Sequence, residues 1–144
     1  MFNPSREQVR RFFREAWRKH AERAPLEPLE AVALDWMIEH PEYEAELAAP
    51  DDAPLVDYSI DAGRTNPFLH LSMHLAIAEQ LSIDQPPGIR AAFEALVRRA
   101  GSTHAAAHET MECLGQTIWR AQRDGAPPDS DAYLDCLRRR ASSR

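Results

Sequence analysis

The sequence has few of the residues that mark fibrous, disulfide-rich or membrane-spanning proteins. Only 5 of its 144 residues are glycine and only 2 are cysteine. No apolar run approaches the ~18 residues that a membrane-spanning helix needs. The N-terminus has no charged leader followed by an apolar core, which is the pattern of a secretory signal. These absences predict a globular, cytoplasmic protein without a membrane-spanning segment.

The two cysteines, Cys113 and Cys136, are too few for a disulfide framework and form no C-x-x-C motif. Disulfide bonds are also rare in the cytoplasm. We therefore expect both residues to be reduced thiols within helices.

The length and composition are those of an ordinary globular domain. Apolar residues make up 44% of the chain and charged residues 28%, without the signature of disorder. A chain of 144 residues is long enough for one hydrophobic core. We expect a single domain over residues 1–144, folding alone or as a simple oligomer such as a homodimer.

The net charge of -6 is distributed unevenly along the chain. Residues 25–57 contain acidic side chains and no lysine or arginine, whereas basic side chains crowd the first helix. This asymmetry predicts attraction between the two segments. Nucleic acid is a disfavoured partner, because the acidic chain as a whole opposes the counterion release that drives such binding. The basic residues of the first helix are Arg6, Arg10, Arg11, Arg14, Arg18, Lys19 and Arg23.

Apolar residues recur at helical spacing along most of the chain, and Asn3-Pro4 and Asn66-Pro67 are typical helix starts. The pattern predicts an all-α bundle of five or six helices. A long acidic loop is expected at about 42–65, in which 42–48 could form a short helix. The predicted helices cover about 4–21, 27–39, 67–82, 88–100, 102–124 and 129–140.

The first two predicted helices show clear apolar stripes, which we expect to face the core. The first helix carries its stripe on Val9, Phe12, Phe13, Ala16 and Trp17. The second carries its stripe on Leu29, Val32, Ala33, Trp36 and Met37.

Two histidine pairs of identical spacing, His70-x-x-x-His74 and His104-x-x-x-His108, lie on separate predicted helices, and Glu112 follows the second pair by four residues. Residues four apart on a helix are separated by about 40° and ~6 Å, so each pair can aim two imidazoles at one point. Both pairs fall on apolar stripes. The pattern predicts a transition-metal site in the core, ligated by all five residues or a subset of them.

The predicted site has two alternative arrangements. His104 and Glu112 are ~12 Å apart along the helix, so they cannot ligate the same ion. The site is then either mononuclear, with histidines from both pairs, or dinuclear with His108 between two ions. Zn, Fe, Mn and Ni all accept imidazole with carboxylate, so the ligand types do not choose among them.

Two further histidines, His20 and His40, lie at predicted helix C-termini. A histidine there is favoured by the helix dipole, and we expect a capping role with metal ligation as the weaker alternative.

A competing hypothesis is that the protein binds no metal. The histidines would then form a polar core network, and the protein would be an interaction or regulatory module that presents its acidic loop or its arginine-rich helix to a partner protein. Neither hypothesis predicts a reaction, because the sequence contains no phosphate-binding loop, dinucleotide fingerprint or serine nucleophile elbow.

Three stretches carry a resemblance to a known family: NPFLHLSMHLAIAEQLSIDQPPGI at 66–89, MECLG at 111–115 and YLDCL at 133–137. They closely resemble a family of unknown function composed of short bacterial cytosolic proteins. The resemblance extends over the full chain and implies no activity. The paired motifs are more loosely similar to hemerythrin-like metal-binding helical bundles, an analogy at the level of fold.

Overall fold

The computed structural model describes residues 6–49 and 66–142. Within these ranges the chain folds into seven α-helices and one 3-10 helix, without a strand, so the predicted all-α class is confirmed. The elements are α1 (Arg6–Ala21), α2 (Pro28–Ile38), a 3-10 helix (Pro41–Tyr43), α3 (Glu44–Ala48), α4 (Pro67–Ile83), α5 (Ile89–Ala100), α6 (Thr103–Asp124) and α7 (Ser130–Ser142).

The helix bounds lie close to the predicted ones because local signals determine them. Asn66 accepts hydrogen bonds from the backbone N–H groups of Phe68 and Leu69, at 3.0 and 3.1 Å, and so caps α4. Ser102 caps α6 in the same way. The predicted count of five or six helices is too low, because α3 forms at the start of the acidic segment. The remainder of the predicted loop, residues 50–65, lies outside the described residues.

The helices fall into two compact units, Met1–Leu75 and Ala76–Arg144, with the boundary inside α4. The expectation of one domain over residues 1–144 stays a prediction. In the described part of the chain, no helix combines the length and the apolar character that crossing a membrane requires.

The first unit is built around aromatic and aliphatic side chains from α1, α2, α3 and the first half of α4. The predicted stripe of α1 is confirmed, since Phe13 and Ala16 are fully buried and Val9, Phe12 and Trp17 pack against them. Each large apolar side chain stabilises the fold by roughly 1.5–3 kcal/mol through burial. The buried core residues are Phe13, Ala16, Ala33, Met37, Tyr43, Leu47, Phe68 and Leu71.

The stripe of α2 is rotated from the predicted one. Leu29 and Val32 are 53% and 37% exposed, so the expectation that they face the core is wrong. Glu30 is 8% exposed, because its carboxylate accepts hydrogen bonds from Lys19 Nζ and from the backbone N–H of Glu27, each at 2.8 Å. These contacts turn the face of Glu30 toward α1. The Lys19–Glu30 pair also provides the attraction between basic and acidic segments that the charge pattern predicts.

The Lys19–Glu30 pair predicts a pH-dependent contribution to stability. The hydrogen bond from Lys19 is the main reason that the pKa of Glu30 lies below its ordinary value of 4.5. The contribution is therefore fully present above pH 4.5 and is lost as the pH falls through the lower pKa of the folded state. Glu30→Gln should lower the free energy of unfolding at neutral pH by about 1 kcal/mol.

Urea denaturation of Glu30→Gln and the wild type at pH 7 and at pH 3 checks this prediction. The difference between the two proteins should shrink at the lower pH. Asp35→Asn removes an exposed carboxylate from the same helix and should leave stability unchanged. Equal destabilisation by the two substitutions would contradict the role given to Glu30.

The second unit packs α5, α6 and α7 together with the last part of α4. A disulfide bond joins Cys113 of α6 to Cys136 of α7, with the two Cα atoms 5.9 Å apart. The expectation of reduced thiols is therefore wrong. Motif rules examine spacing along the chain, whereas these two residues meet because α6 and α7 are neighbours across a turn. On the α4 side, the hydroxyl of Tyr133 donates a hydrogen bond to Gln80 Oε1 at 2.7 Å.

Candidate metal centre

Three histidines of the first unit, His40, His70 and His74, bring their rings together. A nitrogen of each lies within 4.8 Å of a nitrogen of the other two. Nε2 of His70 is 3.0 Å from Nε2 of His40 and 3.1 Å from Nε2 of His74. One imidazole nitrogen is thus in close contact with two others.

Two helices position these side chains. His70 and His74 are four residues apart on α4, which places both rings on the same face of that helix. His40 follows the C-terminus of α2, directly before Pro41. Its Nδ1 lies 2.8 Å from the backbone carbonyl oxygen of Trp36. Since a carbonyl oxygen can only accept, Nδ1 carries the hydrogen, and Nε2 of the neutral ring presents its lone pair to the cluster.

Aromatic rings cover the cluster. The indole of Trp36 stacks on His74 with ring centroids 3.8 Å apart, and the ring of Tyr43 stacks on His40 at 5.2 Å. His74 is 1% exposed and His40 4%, whereas His70 is half-buried. Burial also raises the pKa of the Tyr43 phenol, which keeps it protonated at neutral pH. The donor atoms of this largely dry site are therefore the imidazole nitrogens.

Hydrogen bonding alone does not account for the way the three nitrogens meet. A neutral imidazole nitrogen has one in-plane direction, which holds either an N–H group or a lone pair. Nε2 of His70 therefore cannot form linear hydrogen bonds to His40 and His74 at the same time. A cation at their meeting point would accept a lone pair from each of the three rings.

The distances from His70 Nε2 to the other two Nε2 atoms agree with ligation of one ion. With bonds of ~2.0–2.1 Å, the nitrogens of a tetrahedral site are ~3.3–3.4 Å apart, and those on one face of an octahedral site ~2.9 Å. The observed 3.0 and 3.1 Å lie between these values.

The second predicted pair lies on α6, in the second unit. The rings of His104 and His108 are 4.4 Å apart, and His108 Nδ1 donates a hydrogen bond to the backbone carbonyl of His104. His104 is exposed, and Glu112 is exposed and forms an ion pair with Arg140 at 2.6 Å.

The expectation that His104 faces the core is therefore wrong, because the helix buries a different face. That face is occupied by Ala106, Ala107, Thr110, Met111, Cys113, Leu114 and Thr117. The role of His104, His108 and Glu112 as metal ligands stays a prediction.

The sequence pattern favoured a capping role for His40 and made metal ligation only the weaker alternative. Its predicted capping role is consistent with the hydrogen bond from Nδ1 to the carbonyl of Trp36, but its other ring nitrogen belongs to the cluster. The available signal was its position four residues after Trp36, on the stripe of α2. The other helix-terminal histidine, His20, is exposed, with its ring 5.6 Å from that of Trp17.

Residues 5–139 match the model of a family described as a domain of unknown function (DUF1841), in agreement with the resemblance inferred from the sequence motifs. No curated protein and no solved structure matches the chain. The similarity to hemerythrin-like bundles stays a prediction.

Proposed function

Because the chain belongs to a family of domains of unknown function (DUF1841), we propose its function from the site itself: it binds a divalent transition-metal ion through His40, His70 and His74. The observation that supports the proposal is the contact of His70 Nε2 with two other imidazole nitrogens at 3.0 and 3.1 Å. The buried surroundings add to it, because packing holds the rings of His40 and His74 in place before an ion binds.

The donor set narrows the choice of metal. Imidazole ligands suit Zn, Fe, Ni and Cu, whereas Mn prefers sites rich in carboxylate and water. Among the ions that the sequence admits, Zn, Fe and Ni should therefore bind more tightly than Mn. The general affinity order for divalent ions also places Mn last.

Three protein ligands are the number found in many catalytic zinc sites, whereas structural zinc sites use four. In this chain, the backbone carbonyl of Trp36 holds His40 and the ring of Trp36 holds His74. The ring of Tyr43 shields His40 from water. These residues orient the donors and exclude solvent. The further ligands predicted from sequence, His104, His108 and Glu112, remain part of the proposal as candidates for a fourth position or a second ion.

Metal titration of the untagged full chain tests the proposal. After removal of metals with a chelator, calorimetry with Zn²⁺ and elemental analysis after dialysis should give one ion per chain for a mononuclear site. Bound metal should also raise the free energy of unfolding by about 2.7 kcal/mol when free Zn²⁺ is 100-fold above Kd. Mn²⁺ should bind more weakly. A protein that retains no stoichiometric metal and shows no stabilisation by Zn²⁺ would contradict the proposal.

The competing function is an interaction module in which the histidines serve only for packing. The exposed apolar side chains Leu29 and Val32 on α2 favour this alternative, since they offer a surface to a partner. It predicts that the stability of the metal-free protein is unaffected by Zn²⁺. The same titration therefore separates the two functions.

A further inference from the structure

The two cysteines of the disulfide in the second unit differ in exposure. Cys113 is fully buried on α6. Cys136 is half-buried and lines a cavity of about 320 Å³ together with Gln116, Arg139 and Arg140. A cavity of this size lies at the lower end of the range for small-molecule sites. A thiol from solution would therefore approach the bond from the side of Cys136.

The cavity is lined by positive charge. The Nε of Arg139 donates to the backbone carbonyl of Asp135 at 3.3 Å, which ties this side chain to its own helix beside the cavity. Arg140 forms an ion pair with Glu112 at 2.6 Å and lies 4.0 Å from Glu109. Because the two carboxylates lie at Arg140, the group that would receive an anionic ligand is the guanidinium of Arg139, and arginine favours carboxylates through paired N–H groups. Gln116 adds an amide that can donate or accept.

We propose that this cavity binds a small carboxylate-bearing thiol of the glutathione class and that Cys136 is the sulfur with which it exchanges. Disulfides that occur in the cytoplasm, the compartment predicted from the sequence, are usually transient and take part in redox chemistry. An exchange site at one end of the Cys113–Cys136 bond is consistent with that behaviour.

The exchange proceeds by thiolate attack on a disulfide sulfur. The thiolate sulfur of the incoming molecule forms a bond to Sγ of Cys136, and the bond between the two cysteines breaks. The electron pair of the broken bond leaves on Sγ of Cys113, which then takes up a proton. The incoming thiol is oxidised to a mixed disulfide while Cys113 is reduced. The bond that tied α6 to α7 is thereby opened.

The test compares an anionic and a cationic thiol on the oxidised full chain. Reduced glutathione and cysteamine are added at equal thiolate concentration, the reaction is quenched with acid, and adducts are located by peptide mass spectrometry. Both adducts should lie on Cys136. In Arg139→Gln the rate with glutathione should fall about tenfold, whereas the rate with cysteamine should not fall. Arg123→Gln, an exposed arginine of α6 outside the cavity, is the matched control and should alter neither rate.

Three outcomes would overturn the proposal. These are adducts on Cys113, exchange that occurs only in denaturant, and an equal effect of Arg139→Gln on the two thiols. A second variant tests the proposal if the adduct on the wild-type protein cannot be trapped. In Cys113→Ala no neighbouring thiol can reverse the reaction, so oxidised glutathione should form a stable mixed disulfide with Cys136, again more slowly when Arg139 is replaced.

Discussion

Replacement of His74 by alanine is expected to weaken zinc binding by more than ~100-fold, because changes to groups that only support a metal ligand already cost 10- to 100-fold. His74 is 1% exposed, and its Nε2 lies 3.1 Å from Nε2 of His70. The substitution removes one of the three donors and leaves a space beneath the ring of Trp36. Calorimetric titration with Zn²⁺ measures the loss.

His20→Ala is the matched control, because it removes an exposed histidine from the same unit. Its zinc affinity should equal that of the wild type. Since His74→Ala also removes buried packing, His70→Ala provides a half-buried second variant, and circular dichroism verifies that each protein is folded. Wild-type zinc affinity in a folded His70→Ala protein would contradict the three-histidine site.

The same titration on His108→Ala tests the ligands predicted from the second pair. If His108 ligates the ion, the loss of affinity should match that of His74→Ala. If His40, His70 and His74 suffice, the affinity should remain close to that of the wild type. Gln122→Ala, which changes an exposed residue of the same helix that the proposal does not place at the metal, is the control and should leave the affinity unchanged.

Removal of the disulfide bond is expected to cause the second large effect, a loss of stability. The Cys113→Ala/Cys136→Ala protein should lose about 3 kcal/mol of unfolding free energy, because the bond closes a loop across 23 residues and restricts the unfolded chain. Hydrogen exchange of amides in α6 and α7 measures this loss locally. Reduction of the wild-type protein should produce a similar loss.

The first unit supplies the control for this experiment. Amides of α1 and α2 should keep their exchange rates when the disulfide is absent, since the bond lies within the second unit. Unchanged exchange in α6 and α7 after reduction would show that the bond does not stabilise these helices.

Local chemistry made much of the fold predictable. Asn66 and Ser102 cap α4 and α6 through their own side chains, so helix starts could be inferred from a few neighbouring residues. The placement of His70 and His74 on one helix face follows equally from their spacing. Helix starts, and the sharing of one face by residues at helical spacing, were therefore accessible from the sequence.

Features that depend on which helices are neighbours were not accessible. Glu30 faces α1 because Lys19 is there to pair with it, and this contact rotates α2 away from its apparent apolar stripe. His40 meets His70 across a separation of 30 residues. Cys113 meets Cys136 only because α6 packs against α7. No periodicity within a single segment contains that information.

The separation of His40 from His70 has a consequence for the length of the chain between them. When both side chains bind the same ion, the residues from 41 to 69 become a closed loop. The entropy of closing such a loop rises only slowly with its length, by roughly 0.6 kcal/mol for each doubling. Insertions between α3 and α4 should therefore be tolerated with little loss of metal affinity, whereas a shift of one residue within α4 would carry both of its histidines away from the ion.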